Sequence, residues 1–321
     1  MADISKLDPN IKIFLDKLNG GAATHPHPHS PQATVAEGRK AYLFFSLNNA
    51  GWPLAMARVE DHWIPSSDPS HNIPIRIYTP TIGKTLPALI YFHGGGWQRG
   101  DIATHDSICR HFAHYAGCIV ISVQWRLAPE NKFPIGPNDC LAAYEWIVQN
   151  GKEYNVDTKR LGISGDSAGG NMTAILAQRL RSMDIQKPIF QLLCYASLDL
   201  SCSTHSYIDF AEGFFLSTER VKYYVASYVN SPSDIDNPLC SPLKNPDLKG
   251  LPPTHVVTAG FDPLHDEGKL YAERLKEAGI PVTYKCYEGF IHAFLHMNDS
   301  VPAVETALQE ISEIVKKALF A

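Results

Sequence analysis

The chain has 321 residues, 45% of them hydrophobic and 19% charged, with a net charge of −5 at pH 7. That balance belongs to a folded globular chain, long enough for one large α/β domain or two modest ones. It offers no basic stripe for nucleic acid or anionic membrane, and no apolar run long enough to span a bilayer.

Leu7, Ile11, Phe14, Leu15 and Leu18 recur at helical spacing and predict a short amphipathic helix that ends at Gly20-Gly21. Residues 1–19 alternate in charge and lack the apolar core of a signal peptide. Histidine and proline then alternate over residues 24–31. Proline at every second position blocks both helix and sheet, which favours an extended linker over a metal-binding tract. Strand-like runs follow at 59–64, 73–78, 87–92, 118–123, 161–164, 189–195, 255–258 and 282–286. Helical stretches fall at 102–115, at 137–149, from Ser167 onward and at 266–278. A last helix carries Val304, Ala307, Leu308, Ile311, Val315 and Leu319 on one face, to complete the core or to pair with another subunit. Short buried strands alternating with helices predict an α/β fold with a mostly parallel, doubly wound sheet. Its loop-bearing strand ends collect along one edge.

Residues 201–237 break the alternation with Phe210, Phe214, Phe215, Tyr223, Tyr224 and Tyr228, and with a helix expected over 218–228. Neither repeat nor linker is evident, so one domain, 1–321, bearing a lid is expected. The seven cysteines (109, 118, 140, 194, 202, 240 and 286) are odd in number and show no C-x-x-C spacing. That argues against a zinc site and a disulfide framework, and makes a reduced cytoplasmic compartment the default.

Gly165-Asp166-Ser167-Ala168-Gly169 fits G-x-S-x-G between a strand and a helix. A nucleophilic serine belongs on such a tight turn, although a serine helix cap would give the same local pattern. His93-Gly94-Gly95-Gly96-Trp97 also follows a strand, and successive glycines can aim their N–H groups at one oxyanion. A phosphate loop is excluded because no lysine follows Gly96, and Arg99 stands where a dinucleotide motif needs its last glycine. A serine nucleophile requires a base and the base an orienting acid, in the chain order serine, acid, histidine. Asp262 and His292 each follow a strand in that order. Asp199, Asp266 and Glu267 are rival acids, and His265 and His296 rival histidines. His292 and His296 lie one helical turn apart, but Ala293 stands where a zinc protease needs glutamate, so no metal is expected.

These segments, with Trp125-Arg126-Leu127-Ala128-Pro129-Glu130 and Gly289-Phe290-Ile291-His292, resemble the hormone-sensitive-lipase family of esterases from about residue 75 to the C-terminus. The resemblance implies an α/β-hydrolase fold and a carboxylester hydrolase. The aromatics of 201–237 and Trp97 beside the glycine loop suggest a compact apolar acyl pocket, hence short- to medium-chain acyl esters, unless these rings are only the lid's own core. Ser167 would be the nucleophile, His292 the base and Asp262 its partner, and no cofactor is needed. Gly95, Gly96 and Ala168 would form the oxyanion hole, and His93 would brace the glycine loop. A cap is implied from about 1–54 and 201–237, and a homodimer is favoured. Trp125 stands in place of the usual tyrosine, and Ala196 in place of the usual proline. An amidase or lactonase would use the same triad. The plant gibberellin receptors share the scaffold as binding proteins but lack the histidine that is present here.

Overall fold

The structure, a computed structural model, describes residues 3–19 and 33–321. The His-Pro tract and the Gly20-Gly21 helix end lie outside the described residues. One sheet holds β1 (Arg58–Pro65), β2 (Asn72–Thr79), β3 (Leu86–Phe92), β4 (Ile119–Val123), β5 (Val156–Asp166), β6 (Phe190–Cys194), β7 (Thr254–Phe261) and β8 (Val282–Ile291). Their spatial order is β1-β2-β4-β3-β5-β6-β7-β8. The β1–β2 and β2–β4 pairs are antiparallel, and every pairing from β4 to β8 is parallel. All eight expected strands are present.

The helices are α1 (Pro9–Asn19), α2 (Val35–Asn49), α3 (Asp106–Ala116), α4 (Ile135–Asn150), α5 (Ala168–Leu180), α6 (Ser206–Asp209), α7 (Thr218–Tyr228), α8 (His265–Glu277) and α9 (Pro302–Phe320). Strands β3, β4 and β6 are buried along their whole length, and apolar but for Ser122 and Gln191, because helices cover both faces. Side-chain alternation sorts β3 between two cores. Leu89 and Tyr91 join Phe112 of α3 and Leu308 of α9, while Ile90 and Phe92 join Tyr144 of α4, Leu176 of α5 and Tyr271 of α8. The apolar face of α9 is buried in the first of these cores. Each of its large side chains contributes about 1.5–3 kcal/mol at most, so the helix completes the monomer's own core.

Helix α2 had no counterpart in the sequence reading. Glu37 N donates to Thr34 Oγ1 at 3.3 Å, and Thr34 N donates to Glu37 Oε2 at 2.9 Å, a reciprocal cap of its first turn. Its buried stripe is Gly38, Ala41, Tyr42, Phe45 and Ser46. The segment between β6 and β7 is helical, with α7 falling on the expected residues.

Candidate active site

Ser167 occupies the single residue between β5 and α5, with φ at +54°. A side chain held there costs about 1–3 kcal/mol and persists only if its surroundings fix it. Ser167 N donates to the Cys194 carbonyl at 2.9 Å, and the Ser167 carbonyl accepts from Asn171 N at 3.0 Å and Ser197 N at 3.2 Å. Gly169 permits the turn, because a Cβ there would collide with the Phe92 carbonyl of β3.

The ends of β7 and β8 bring the other two groups to the same edge. His292 Nε2 lies 2.9 Å from Ser167 Oγ, and His292 Nδ1 lies 2.7 Å from Asp262 Oδ2. An ionised carboxylate only accepts, so Nδ1 carries the proton and Nε2 is left to accept from the serine hydroxyl. Asp262 is fully buried, and its Oδ1 accepts from Leu264 N at 2.9 Å. The Tyr195 ring stands edge-on to the imidazole at 5.0 Å between centroids. The rival groups go elsewhere. Asp266 pairs with His265 at 2.9 Å, and Asp199 accepts from Ser201 N. Glu267 accepts from Leu198 N and Tyr207 Oη, its carboxyl pushed well above the usual range by burial.

The glycine loop follows β3. Gly95 and Gly96 have φ of +120° and +61°, and neither N–H is donated to a protein acceptor among the described residues. Ala168 is the first residue of α5, where helix geometry leaves the N–H without an intrahelical partner. Beneath the loop, Asp166 Oδ1 accepts from Gly94 N and from Tyr91 Oη, each at 2.8 Å, and lies 3.2 Å from His105 Nε2. Burial works to raise the Asp166 carboxyl, but His105 and the Tyr91 hydroxyl outweigh it and hold it below the usual carboxylate range. Burial, with His105 second, lowers His93 to about 4 and His296 to about 3. Trp125 stacks flat on His93 at 5.0 Å, and His93 Nδ1 sits 2.9 Å from the Gly94 carbonyl. The tryptophan that departs from the family pattern therefore packs against the loop's own histidine.

His105, Asp166 and His296 place ligand-type atoms within 4.8 Å of one another, the grouping among the described residues that could hold a metal ion. Hydrogen-bond partners already face those atoms. Gly94 N is 3.2 Å from His105 Nε2, and Tyr42 Oη is 3.0 Å from His296 Nε2. The cluster is built as a hydrogen-bond network under the loop, with Asp166 Oδ2 left unpartnered.

Above Ser167 and His292 opens a narrow cavity of about 20 Å³, lined by Tyr42, Gly95, Gly96, Trp97, Leu216, Val221, Tyr224 and Leu264. Tyr42 comes from α2, inside the implied cap segment but on a helix that the sequence reading did not name. Most aromatic rings of 201–237 serve the protein's own packing. Phe210 and Phe214 meet Phe261, Phe215 meets Phe45, and Tyr228 stacks on Trp97 at 4.9 Å.

The chain as a whole is similar to known proteins. The model of a family described as alpha/beta hydrolase fold matches residues 89–296. Carboxylesterase NlhH of Mycobacterium tuberculosis is 36% identical over 320 residues, covering 98% of this chain and 97% of that protein. An ethyl acetate hydrolase of Pseudomonas putida is 29% identical over 98% of this chain and 99% of its own length. Among solved structures, an ester hydrolase from the metagenome of Lake Arreo superposes with a TM-score of 0.93 at 37% identity. It covers 98% of this chain and 100% of that one.

Proposed function

The chain belongs to the α/β-hydrolase-fold family, among its hormone-sensitive-lipase-like esterases, and on that premise we propose that it hydrolyses small carboxylic esters through Ser167, His292 and Asp262. The observation that carries the assignment is the continuous chain from Ser167 Oγ through His292 to Asp262, at 2.9 and 2.7 Å. Ser167 Oγ attacks the ester carbonyl while His292 Nε2 takes its proton. Asp262 keeps the tautomer and stabilises the imidazolium. The oxyanion forms against the N–H groups of Gly95, Gly96 and Ala168, each worth about 2.7–4 kcal/mol of barrier. His292 then protonates the departing alcohol, and water releases the acid by the same steps in reverse.

Short to medium acyl chains are the substrates in this reading. The cavity is narrow and its walls are mostly apolar, and one relative is named for ethyl acetate. Residues from about 1–54 and 201–237 act as a cap over a single domain, supported by the contributions of Tyr42, Leu216, Val221 and Tyr224 to the cavity. The seven free thiols support a cytoplasmic, reducing compartment, and no helix among the described residues is long and apolar enough to cross a membrane. A homodimer, which the resemblance favours, has to use a surface other than the buried face of α9.

The test is covalent labelling of Ser167 with a fluorophosphonate, together with turnover of p-nitrophenyl acetate by Ser167→Ala. Labelling in the wild type and loss of turnover in the variant are expected. A Ser167→Ala enzyme that keeps wild-type turnover overturns the assignment, and an unlabelled but folded wild type favours a binding protein. Faster turnover of a matched amide than of the ester makes it an amidase.

A further inference from the structure

The guanidinium of Arg39, on α2, is held by two separate loops. Its Nε–H donates to the Gln98 carbonyl at 2.8 Å, and Nη2 donates to the Ala128 carbonyl at 3.2 Å. Nη1 and Nη2 reach the two carboxylate oxygens of Glu130 at 2.9 and 2.7 Å. Gln98 lies directly after the glycine loop, whereas Ala128 and Glu130 lie on the connection between β4 and α4. The two loops meet once more where Ala128 N donates to the Trp97 carbonyl at 2.8 Å. Arg39 and Ala128 therefore close a ring of hydrogen bonds around the peptide joining Trp97 to Gln98.

That peptide is where the loop is least comfortable. Trp97 has φ at +58° although it is not glycine, a conformation that L side chains rarely adopt. If Trp97 relaxed, the chain would rotate at its junction with Gly96 and swing the neighbouring N–H groups off their common target. Gly95 cannot absorb the change unaided, because its carbonyl already accepts from Gln98 N and Arg99 N.

We propose that Arg39 is a positioning residue for the oxyanion hole: its fork, steadied by Glu130, keeps Trp97 and Gln98 in the conformation that aims the Gly95 and Gly96 N–H groups at the ester oxygen. An exposed ion pair with no further role would contribute little. Here Arg39 and Glu130 side chains are 35% and 55% exposed, but the same guanidinium also holds main-chain carbonyls in both loops. A lysine cannot reproduce that arrangement, since it offers a point charge rather than a planar fork. The proposal rests on the oxyanion assignment made above.

The experiment compares p-nitrophenyl acetate with its thiono analogue in the wild type, Arg39→Met and Arg39→Lys. Sulfur accepts hydrogen bonds weakly, so misplaced donors penalise the oxygen ester more than the thiono ester. Arg39→Met is expected to lower kcat on the oxygen ester about 10–100-fold with KM within about threefold. It should also lower the oxygen-to-sulfur rate ratio by about fivefold or more, with Arg39→Lys recovering only part of either loss. An unchanged ratio in Arg39→Met overturns the proposal, including the case in which both rates fall in proportion, as a purely structural role requires. If Arg39→Met does not fold, Glu130→Gln takes its place, with a smaller fall of the ratio expected and an unchanged ratio again overturning the idea. The underlying reading fails separately, by turnover in Ser167→Ala. Failure of the clamp alone leaves Ser167 essential and the ratio unmoved.

Discussion

Asp262→Asn isolates the location of one proton. Both carboxylate oxygens are committed, Oδ2 to His292 Nδ1 at 2.7 Å and Oδ1 to Leu264 N at 2.9 Å. Asparagine has one acceptor to serve both. If its carbonyl stays with Leu264, its NH₂ faces Nδ1, and the imidazole must move its proton to Nε2. Ser167 then loses its base. If the carbonyl turns to His292 instead, NH₂ opposes the Leu264 N–H in a fully buried site, leaving a donor unpaired at about 1–3 kcal/mol. A change of tautomer is cheaper than an orphaned buried donor, so the first arrangement should prevail. The expected fall in kcat is about 10³–10⁴, or about 4–5.5 kcal/mol of barrier. KM should stay within a few-fold, and stability should fall by no more than about 1–3 kcal/mol. Initial rates on p-nitrophenyl acetate and urea unfolding of the same preparation measure both quantities. An Asp262→Asn enzyme within tenfold of wild-type turnover and equally stable refutes the role given to Asp262.

Two further outcomes are expected. Across a series of p-nitrophenyl esters from acetate to palmitate, the wild type should peak at short or medium chains. Leu216→Ala, which trims a wall of the cavity, should move the peak to longer acyl groups; a wild-type maximum at palmitate contradicts the assigned pocket. His255, 2% exposed and 2.7 Å from Thr283 Oγ1, is lowered by burial to about 4. The unfolded chain thus binds the proton more readily, and stability present above pH 6.5 is lost as pH falls towards 4, by about 2–3 kcal/mol. His255→Gln should flatten that acid limb in urea titrations at pH 7 and 4.5, and an unchanged difference between the two pH values refutes the assignment.

The strands were legible because β3, β4 and β6 are short, mostly apolar runs between helices, and the ends of β5, β7 and β8 located Ser167, Asp262 and His292. Their lengths were less so. Strand β5 begins at Val156, through Asp157 and Lys159, and β8 runs on through Glu288 and Gly289 to Ile291. Polar residues and a glycine there imitate turns, whereas pairing with Leu86 and Phe261 keeps the chain extended. Helix α2 escaped for another reason. Its buried stripe is carried by Gly38, Ala41 and Ser46 as much as by Tyr42 and Phe45, so hydrophobic contrast between its faces is low. The Thr34–Glu37 capping pair was the signal that could have revealed it. With α2 went Tyr42, the His296 contact and Arg39, none of which local spacing can connect to a loop some sixty residues away. Nor could sequence divide the rings of 201–237 between cavity and packing, since only the fold decides which of them meets Phe261, Phe45 or Trp97.

The burial of α9 has a consequence for the order in which this protein comes into being. One face of the sheet, with Leu89, Tyr91, Val120 and Leu192, shares its core with Leu308, Ile311, Val315 and Leu319, residues synthesised after every strand. A growing chain can pair β3, β4, β5 and β6 while that face is still uncovered, and it exposes aggregation-prone surface for as long as the last helix is missing. His292 also emerges late, 125 residues after the serine it serves. The nascent chain carries Ser167 for 125 residues of synthesis before the base proposed for it exists.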